Sequence, residues 1–371
     1  MFHGLLKKEN IKLNLKEEEY YDKHKIMIMN YYSILNTIFF GNLNLLNDKN
    51  KKYFTKMNYY DLLNILYYKS CFGITYDEVI DTIYEKFNVN ISAKTLRKRF
   101  KMIDISHLSD SNIKLLDYFY TFCGKEKRIL SCDGTTISVD NNLKKENYKS
   151  VSTDSYCKAY LSTIYDSTNK IPIAFCINKN KNERKDALDL INNVNKNDII
   201  IFDRGYPSYQ FMKKLNDREI KYIIRSKDNI DAVDDIEKNN KKEEIYEKDS
   251  SLYKGTPFRI IKCLIKDPYD LDSNYYLITN IFDIEYKVFN DLYFKRWQVE
   301  IFYDKLKNYA HGDYYNVKSE EELNKTIYVQ FNSLIITRII IEMIKKIFGE
   351  QKEHKIINFK SAFRITLKLI I

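Results

Sequence analysis

Between residues 127 and 226 the chain changes rhythm, and that change limits the folds open to it. Apolar runs of strand length alternate there with helical patterns. Arg128 to Cys132 reads as a short strand ending at Asp133-Gly134. Tyr160 to Tyr165 and Ile171 to Ile177 read as two strands around the turn Asp166-Ser167-Thr168-Asn169. Glu183 to Val194 is an amphipathic helix, and Asp198 to Phe202 a buried strand ending at Asp203. Pro207 suits the first turn of a helix through Leu215, and Ile220 to Arg225 is a further strand. The order β-β-β-α-β-α-β predicts an α/β fold with a mixed sheet.

That order is of the ribonuclease H-like kind. The charge-dense connection from Lys227 to about Asp249 leads to strand-like runs, Phe258 to Ile265 and Tyr275 to Ile281. Residues 227–283 therefore read as a β-rich insertion in a sheet domain made of 127–226 and 284–348. A long helical pattern from about Ile284 to Tyr309 follows, then a helix opened by the capping box Ser319/Glu322 and ended at Gly349. Residues 350–371 form a C-terminal tail, and residues 1–120 a helical N-terminal region.

Within that region, residues 75–103 carry a helix-turn-helix pattern. Thr75 with Glu78 forms a capping box, and Val79, Ile80, Ile83, Tyr84 and Phe87 share one helical face. After the turn Asn88-Val89-Asn90, Ser92 can cap a second helix with Leu96, Phe100 and Ile103 inward. Lys94, Arg97, Lys98 and Lys101 then point outward, as in a helix that contacts DNA. An ordinary helical hairpin with a solvated basic face has the same pattern.

Composition narrows the partners. Lys+Arg 61 against Asp+Glu 51 gives a net charge of +10, which favours a polyanion, nucleic acid above all. Richness in Lys, Asn, Ile and Tyr, as an AT-rich genome produces, accounts for part of that charge. The run Ile26 to Phe40 is too short to span a membrane and holds Asn30 and Asn36; Arg338, Glu342, Lys345 and Lys346 interrupt Leu334 to Phe348. No membrane association is expected. The six cysteines include no CxxC pair, which fits a reducing cytoplasm.

Three carboxylates stand out by position. Asp133 and Asp203 each follow an apolar strand, where open α/β sheets gather their ligands. Such carboxylates repel each other unless a cation lies between them. The third, Glu300, comes from the later helix. At about 100° per residue, Tyr293, Arg296, Glu300 and Lys307 fall within an arc of about 60°. Val288, Leu292, Val299, Phe302 and Leu306 lie roughly a third of a turn away and can face the core. A solvated face with an Arg/Glu pair would explain the charges, but not Tyr293 and Trp297 beside them.

The spacing Tyr293-x2-Arg296-x3-Glu300-x6-Lys307, within YFKRWQVEIFYDKLK, resembles the Y-x2-R-x3-E-x6-K signature of the insertion-sequence-4 family of DDE transposases. Tyr275 to Asn280 resembles the strand before that signature, Phe202-Asp203-Arg204-Gly205-Tyr206 the family's second motif, and Cys132-Asp133-Gly134-Thr135 its first. The blocks stand in the family's order within residues 127–345. The resemblance implies a cut-and-paste transposase that cleaves at element ends and joins the freed 3′-OH to a second phosphodiester. It implies Asp133, Asp203 and Glu300 as catalytic ligands of two Mg²⁺ ions, with Mn²⁺ able to substitute. It also implies that Arg296, Lys307 and Tyr293 grip phosphates, with Trp297 as a DNA contact. The partners would be double-stranded DNA and a second copy of the chain in the DNA complex, at the nucleoid. Two other readings share these residues: a decayed transposase that only binds DNA, and a nuclease that cuts without joining.

Overall fold

The computed structural model describes residues 59–87, 89–124, 127–151, 155–226, 231–246, 256–265, 273–348 and 359–370. The expected helices of residues 1–55, with the run Ile26 to Phe40, and the helix end at Gly349 lie outside these.

Among the described residues four helices come first: α1 (Tyr59–Phe72), α2 (Tyr76–Phe87), α3 (Ala93–Lys101) and α4 (Ile105–Cys123). The box that starts α2 forms in both directions: Thr75 N–H donates to Glu78 Oε2 at 2.7 Å, and Glu78 N–H to Thr75 Oγ1 at 3.3 Å. Ser92 caps α3 by accepting from Thr95 N–H at 3.2 Å. Leu96, Phe100 and Ile103 are buried, as are Val79 and Ile83. Tyr84, by contrast, is exposed, because the buried stripe of α2 is narrower than the apolar run.

The sheet follows: β1 (Ile129–Asp140), β2 (Lys149–Ser150), β3 (Tyr156–Asp166), β4 (Ile171–Asn178), α5 (Glu183–Leu190), β5 (Ile199–Phe202), α6 (Tyr209–Asp217) and β6 (Lys221–Arg225). Then come α7 (Asp231–Lys238), β7 (Glu243–Tyr246), β8 (Phe258–Ile265), β9 (Ser273–Thr279), α8 (Phe289–Phe294), α9 (Trp297–Tyr309), β10 (Tyr314–Tyr315), α10 (Glu320–Phe348) and α11 (Phe359–Ile370). Ten strands form one mixed sheet in the order β2-β3-β1-β5-β6-β9-β8-β7, with β4 also on β3 and β10 also on β1. The pairs β1/β5 and β5/β6 are parallel; β6/β9, β9/β8 and β8/β7 are antiparallel. The strands of segment 227–283 thus continue the main sheet beyond β6.

Three local features depart from the sequence expectations. β1 does not stop at Asp133-Gly134 but runs on to Asp140, because β3 pairs with it along its whole length from Leu130. Pro207 stands one residue before the cap of α6, which is Ser208, accepting from Phe211 N–H at 3.2 Å. The run from 284 to 309 is not one helix. It tightens at Lys295-Arg296, where Gln298 N–H donates to Lys295 O and Val299 N–H to Arg296 O, three residues back instead of four. That tightening also moves Val288 out of phase with the core stripe, and it is exposed.

One sheet face packs on α5, α6 and α7 through Leu130, Cys132, Ile200, Phe202, Ala187, Phe211 and Ile236. The other face meets α8 through Ile129, Ile199, Ile201, Phe289 and Tyr293. A third cluster joins the N-terminal helices, α9 and α10 to β1 and β3. α10 is long and apolar enough to cross a membrane by length and composition, but most of it is buried inside the molecule, where Asn332 ties it to Tyr67 and Asn112. Its first turn is capped by Ser319, whose hydroxyl accepts from Glu322 N–H at 3.2 Å. Within the tail region, α11 buries Phe363 and Leu367 in the same cluster. All six cysteines are free thiols.

Candidate active site

The site lies at a gap in the sheet. β5 pairs only with Ile129–Ser131 of β1, and β10 only with Ser138 and Val139. Among the described residues, positions 132–137 of β1 have no strand neighbour on that edge. Asp133 sits at the start of the gap, and Asp203 directly follows the last residue of β5. Side chains alternate along strands, so Asp133 shares the face of Ile129, and Asp203 continues the face of Ile199 and Ile201. Both carboxylates therefore point to the face covered by α8 and α9.

α9 crosses this gap. Tyr303, almost fully buried, donates its hydroxyl to the carbonyl of Asp133 at 2.7 Å. Lys307 donates from Nζ to Thr135 Oγ1 at 2.8 Å. Arg296, at the tight turn, is buried; its Nη2 donates to Glu300 Oε1 at 2.6 Å and its Nη1 stands 3.7 Å from Asp133 Oδ2. Its Nε is buried without a partner among the described residues. Tyr293 is buried against Tyr275, with ring centroids 5.7 Å apart, and its hydroxyl reaches Asp203 Oδ1 at a long 3.4 Å. The fold thus gathers Asp133, Asp203, Tyr293, Arg296, Glu300 and Lys307 at one edge. Trp297 points outward and is 52% exposed, with the Arg296 guanidinium 5.7 Å from its ring.

Burial pushes the Asp133 carboxyl up to about 6. The Gly134 N–H, which donates to Asp133 Oδ1 at 2.8 Å, and the Arg296 cation pull it down, while Asp203 and Glu183 push it further up. Burial likewise raises the Tyr293 phenol to about 12. These acids are crowded and partly desolvated around one buried guanidinium. Their oxygen donors suit a hard divalent cation, and Arg296 stands in as the positive charge between Asp133 and Glu300. Among the described residues no three His, Cys, Asp or Glu side chains are grouped closely enough to hold a metal ion as they stand.

The basic helix α3 belongs to the N-terminal helices. Lys94, Arg97, Lys98 and Lys101 are exposed on it, and Arg97 also lies over the Tyr76 ring at 4.4 Å. All four line a cleft of about 290 Å³ together with Lys318, just before α10, and Glu321, Glu322 and Lys325 at its start.

Sequence reasoning missed several neighbours of the carboxylates. Thr135 and Tyr303 lie inside the matching blocks, but a threonine in a strand or a tyrosine on a buried helical stripe carries no chemical signal of its own. Glu183 and Arg184 lie outside those blocks, on the first turn of α5. An acid at a helix start reads only as a favourable dipole contact.

A mixed sheet with parallel β1, β5 and β6, with helices on both faces, Asp133 within β1 and Asp203 just after β5, has the architecture of a ribonuclease H-like domain. The family described as "Transposase DDE domain" matches residues 124–330, more than half of the chain, and the chain belongs to that family. Among solved structures, a piggyBac transposase in a cryo-EM synaptic complex with hairpin DNA is similar in fold, with a TM-score of 0.50 and 12% identity over 84% of this chain and 70% of that one. No curated protein sequence matches the chain.

Proposed function

We propose that the chain is a cut-and-paste DNA transposase of the insertion-sequence-4 type. What supports this most is that Asp133, Asp203 and Glu300 border the β1 gap, linked through Arg296 and Tyr293 with Lys307 beside them, in a member of the DDE family. Asp133, Asp203 and Glu300 would hold two Mg²⁺ ions, or Mn²⁺ in their place. When bound, such a pair supplies an activated oxygen nucleophile and stabilises the leaving oxygen.

The chain's own residues do the rest. Arg296 turns its guanidinium from Glu300 to a phosphate of the DNA, which frees Glu300 to act as a ligand. Lys307 holds a second phosphate oxygen where negative charge grows during transfer. Tyr293 donates its hydroxyl to the backbone, and Trp297, already facing solvent, stacks on a base near the cut. Tyr303 keeps the backbone of Asp133 in place. Lys94, Arg97, Lys98 and Lys101 grip the duplex away from the cut, and two copies of the chain pair two element ends.

The test is to incubate the protein and Mg²⁺ with the DNA ends that flank its own gene. Nicking followed by strand joining is the expected result. Nicking alone would mark a nuclease, and a mobility shift alone a DNA-binding protein without catalysis.

A further inference from the structure

The two motif glycines, Gly134 and Gly205, meet the same side chain. A methyl group at Gly134 would stand 3.3 Å from Ser162 Oγ and in ordinary contact with Glu183, 3.5 Å from its Cγ and 3.6 Å from its Oε1; at Gly205 it would stand 3.2 Å from Glu183 Oε2. Neither glycine needs a left-handed backbone. The Glu183 carboxylate therefore lies against both the residue after Asp133 and the loop after Asp203, closely enough at Gly205 to leave little room for a side chain. It comes from α5, on the sheet face opposite α9.

Next to it, Arg184 fastens the same loop. Its Nη2 donates to the carbonyls of Gly205 and Pro207, both at 3.1 Å, and its buried Nε has no partner among the described residues. The first turn of α5 is itself anchored to the sheet. Asp186 is 1% exposed and accepts from Ser162 on β3 and Asn178 on β4, each at 2.8 Å. Asn182 caps the helix by accepting from Lys185 N–H at 3.2 Å. A continuous path runs from β3 and β4 through Asp186 to Glu183 and Arg184, and from there to both aspartate-bearing segments. Lys181, 3.0 Å from Glu183 Oε1, offsets part of its charge from the solvent side.

We propose that Glu183 and Arg184 are positioning residues that set the spacing of Asp133 and Asp203, and that the Glu183 carboxylate adds negative charge behind them which strengthens divalent cation binding. The inference rests on the proposed function for its metal. It differs from a packing role because Glu183→Gln keeps the shape and removes only the charge. Groups behind a metal's ligands commonly contribute about 10- to 100-fold in affinity.

The experiment is a Mn²⁺ titration of the full chain without DNA, read by electron paramagnetic resonance, alongside thermal melts and single-turnover cleavage. Glu183→Gln should melt like the wild type yet bind Mn²⁺ about tenfold more weakly or worse. Arg184→Ala should also lose Mn²⁺ affinity, and Arg184→Lys should recover part of it, since one ammonium can still reach a carbonyl. Both Glu183→Gln and Arg184→Ala binding Mn²⁺ within about twofold of wild type, against the tenfold expected, would overturn the proposal. Wild-type protein that binds Mn²⁺ but cuts no DNA would sink the transposase reading alone, because the Mn²⁺ comparison still decides this one. Wild-type protein that binds no Mn²⁺ would overturn both.

Discussion

Arg296 donates to Glu300 across one helical turn at 2.6 Å, and the same guanidinium faces Asp133 on the sheet. One buried cation therefore balances acids from two separate elements. Its removal should be felt at Asp133, whose carboxyl Arg296 holds down against burial. In metal-free Arg296→Gln, Asp133 should titrate above the value of about 6 that it has in the native chain. Carbon-13 NMR of the carboxyl through a pH series reads this directly; an unmoved midpoint would show that the guanidinium does not act on Asp133.

Asp133 should also set part of the pH dependence of stability in metal-free protein. An unfolded aspartate titrates near pH 3.9. The folded chain holds this proton up to about 6. Stability therefore falls as pH rises through that window, and the full cost remains above it. Asp133→Asn should stabilise the metal-free protein by at most about 3 kcal/mol above that window and by almost nothing below roughly pH 3. Urea unfolding at both pH values checks it; equal gains at both would point to packing instead of charge.

Lys307 is fixed by Thr135 on one side and by α9 on the other. Charge growing on a phosphate during transfer gains from a cation already in place. Lys307→Ala should slow single-turnover cleavage or joining roughly a hundredfold or more on pre-bound ends, with a much smaller loss of binding. Wild-type rates at saturating DNA would reduce the residue to a binding contact.

On α3, Lys94, Lys98 and Lys101 stand in solvent, while Arg97 is engaged with Tyr76. Each lysine that neutralises a phosphate should lower the slope of log affinity against log salt by about one when replaced by alanine. Arg97→Ala should also loosen the packing of α3 on α2. Fluorescence anisotropy across a salt series measures the slopes; a triple lysine variant with an unchanged slope would make α3 a scaffold.

Much of this arrangement was legible in the residues. Strand and helix patterns from 127 to 226 are strong because a strand buried on both faces, Ile199 to Phe202, is one apolar run, and a helix buried on one face repeats at helical spacing, as in Phe211, Met212 and Leu215. The expected caps at Thr75, Ser92 and Ser319 form because their hydrogen bonds are local. Long-range effects were not legible. The continuation of β1 past Asp133 depends on β3, which pairs with it from the other side. The tight turn at Arg296 has no glycine or proline to announce it, so an ideal helix misplaces Val288. Glu183 gives no sign in the sequence because its importance lies in which two glycines it touches.

The buried helix α10 has a further consequence. It packs on α1, α4 and β4 within one apolar cluster, and over residues 328–332 it meets all three, through Phe175 on β4, Tyr67 on α1 and Asn112 on α4. Among the described residues, α3, through Leu96 and Phe100, and α9, through Val299 and Phe302, belong to that same cluster. A duplex gripped by α3 would thus meet the acids at the sheet gap at a constant offset, counted in base pairs and in rotation about the DNA axis. An inserted or deleted base pair between grip and cut would turn a different phosphate toward Asp133, so the site of cleavage would be chosen by the dimensions of the folded chain as much as by any base it reads.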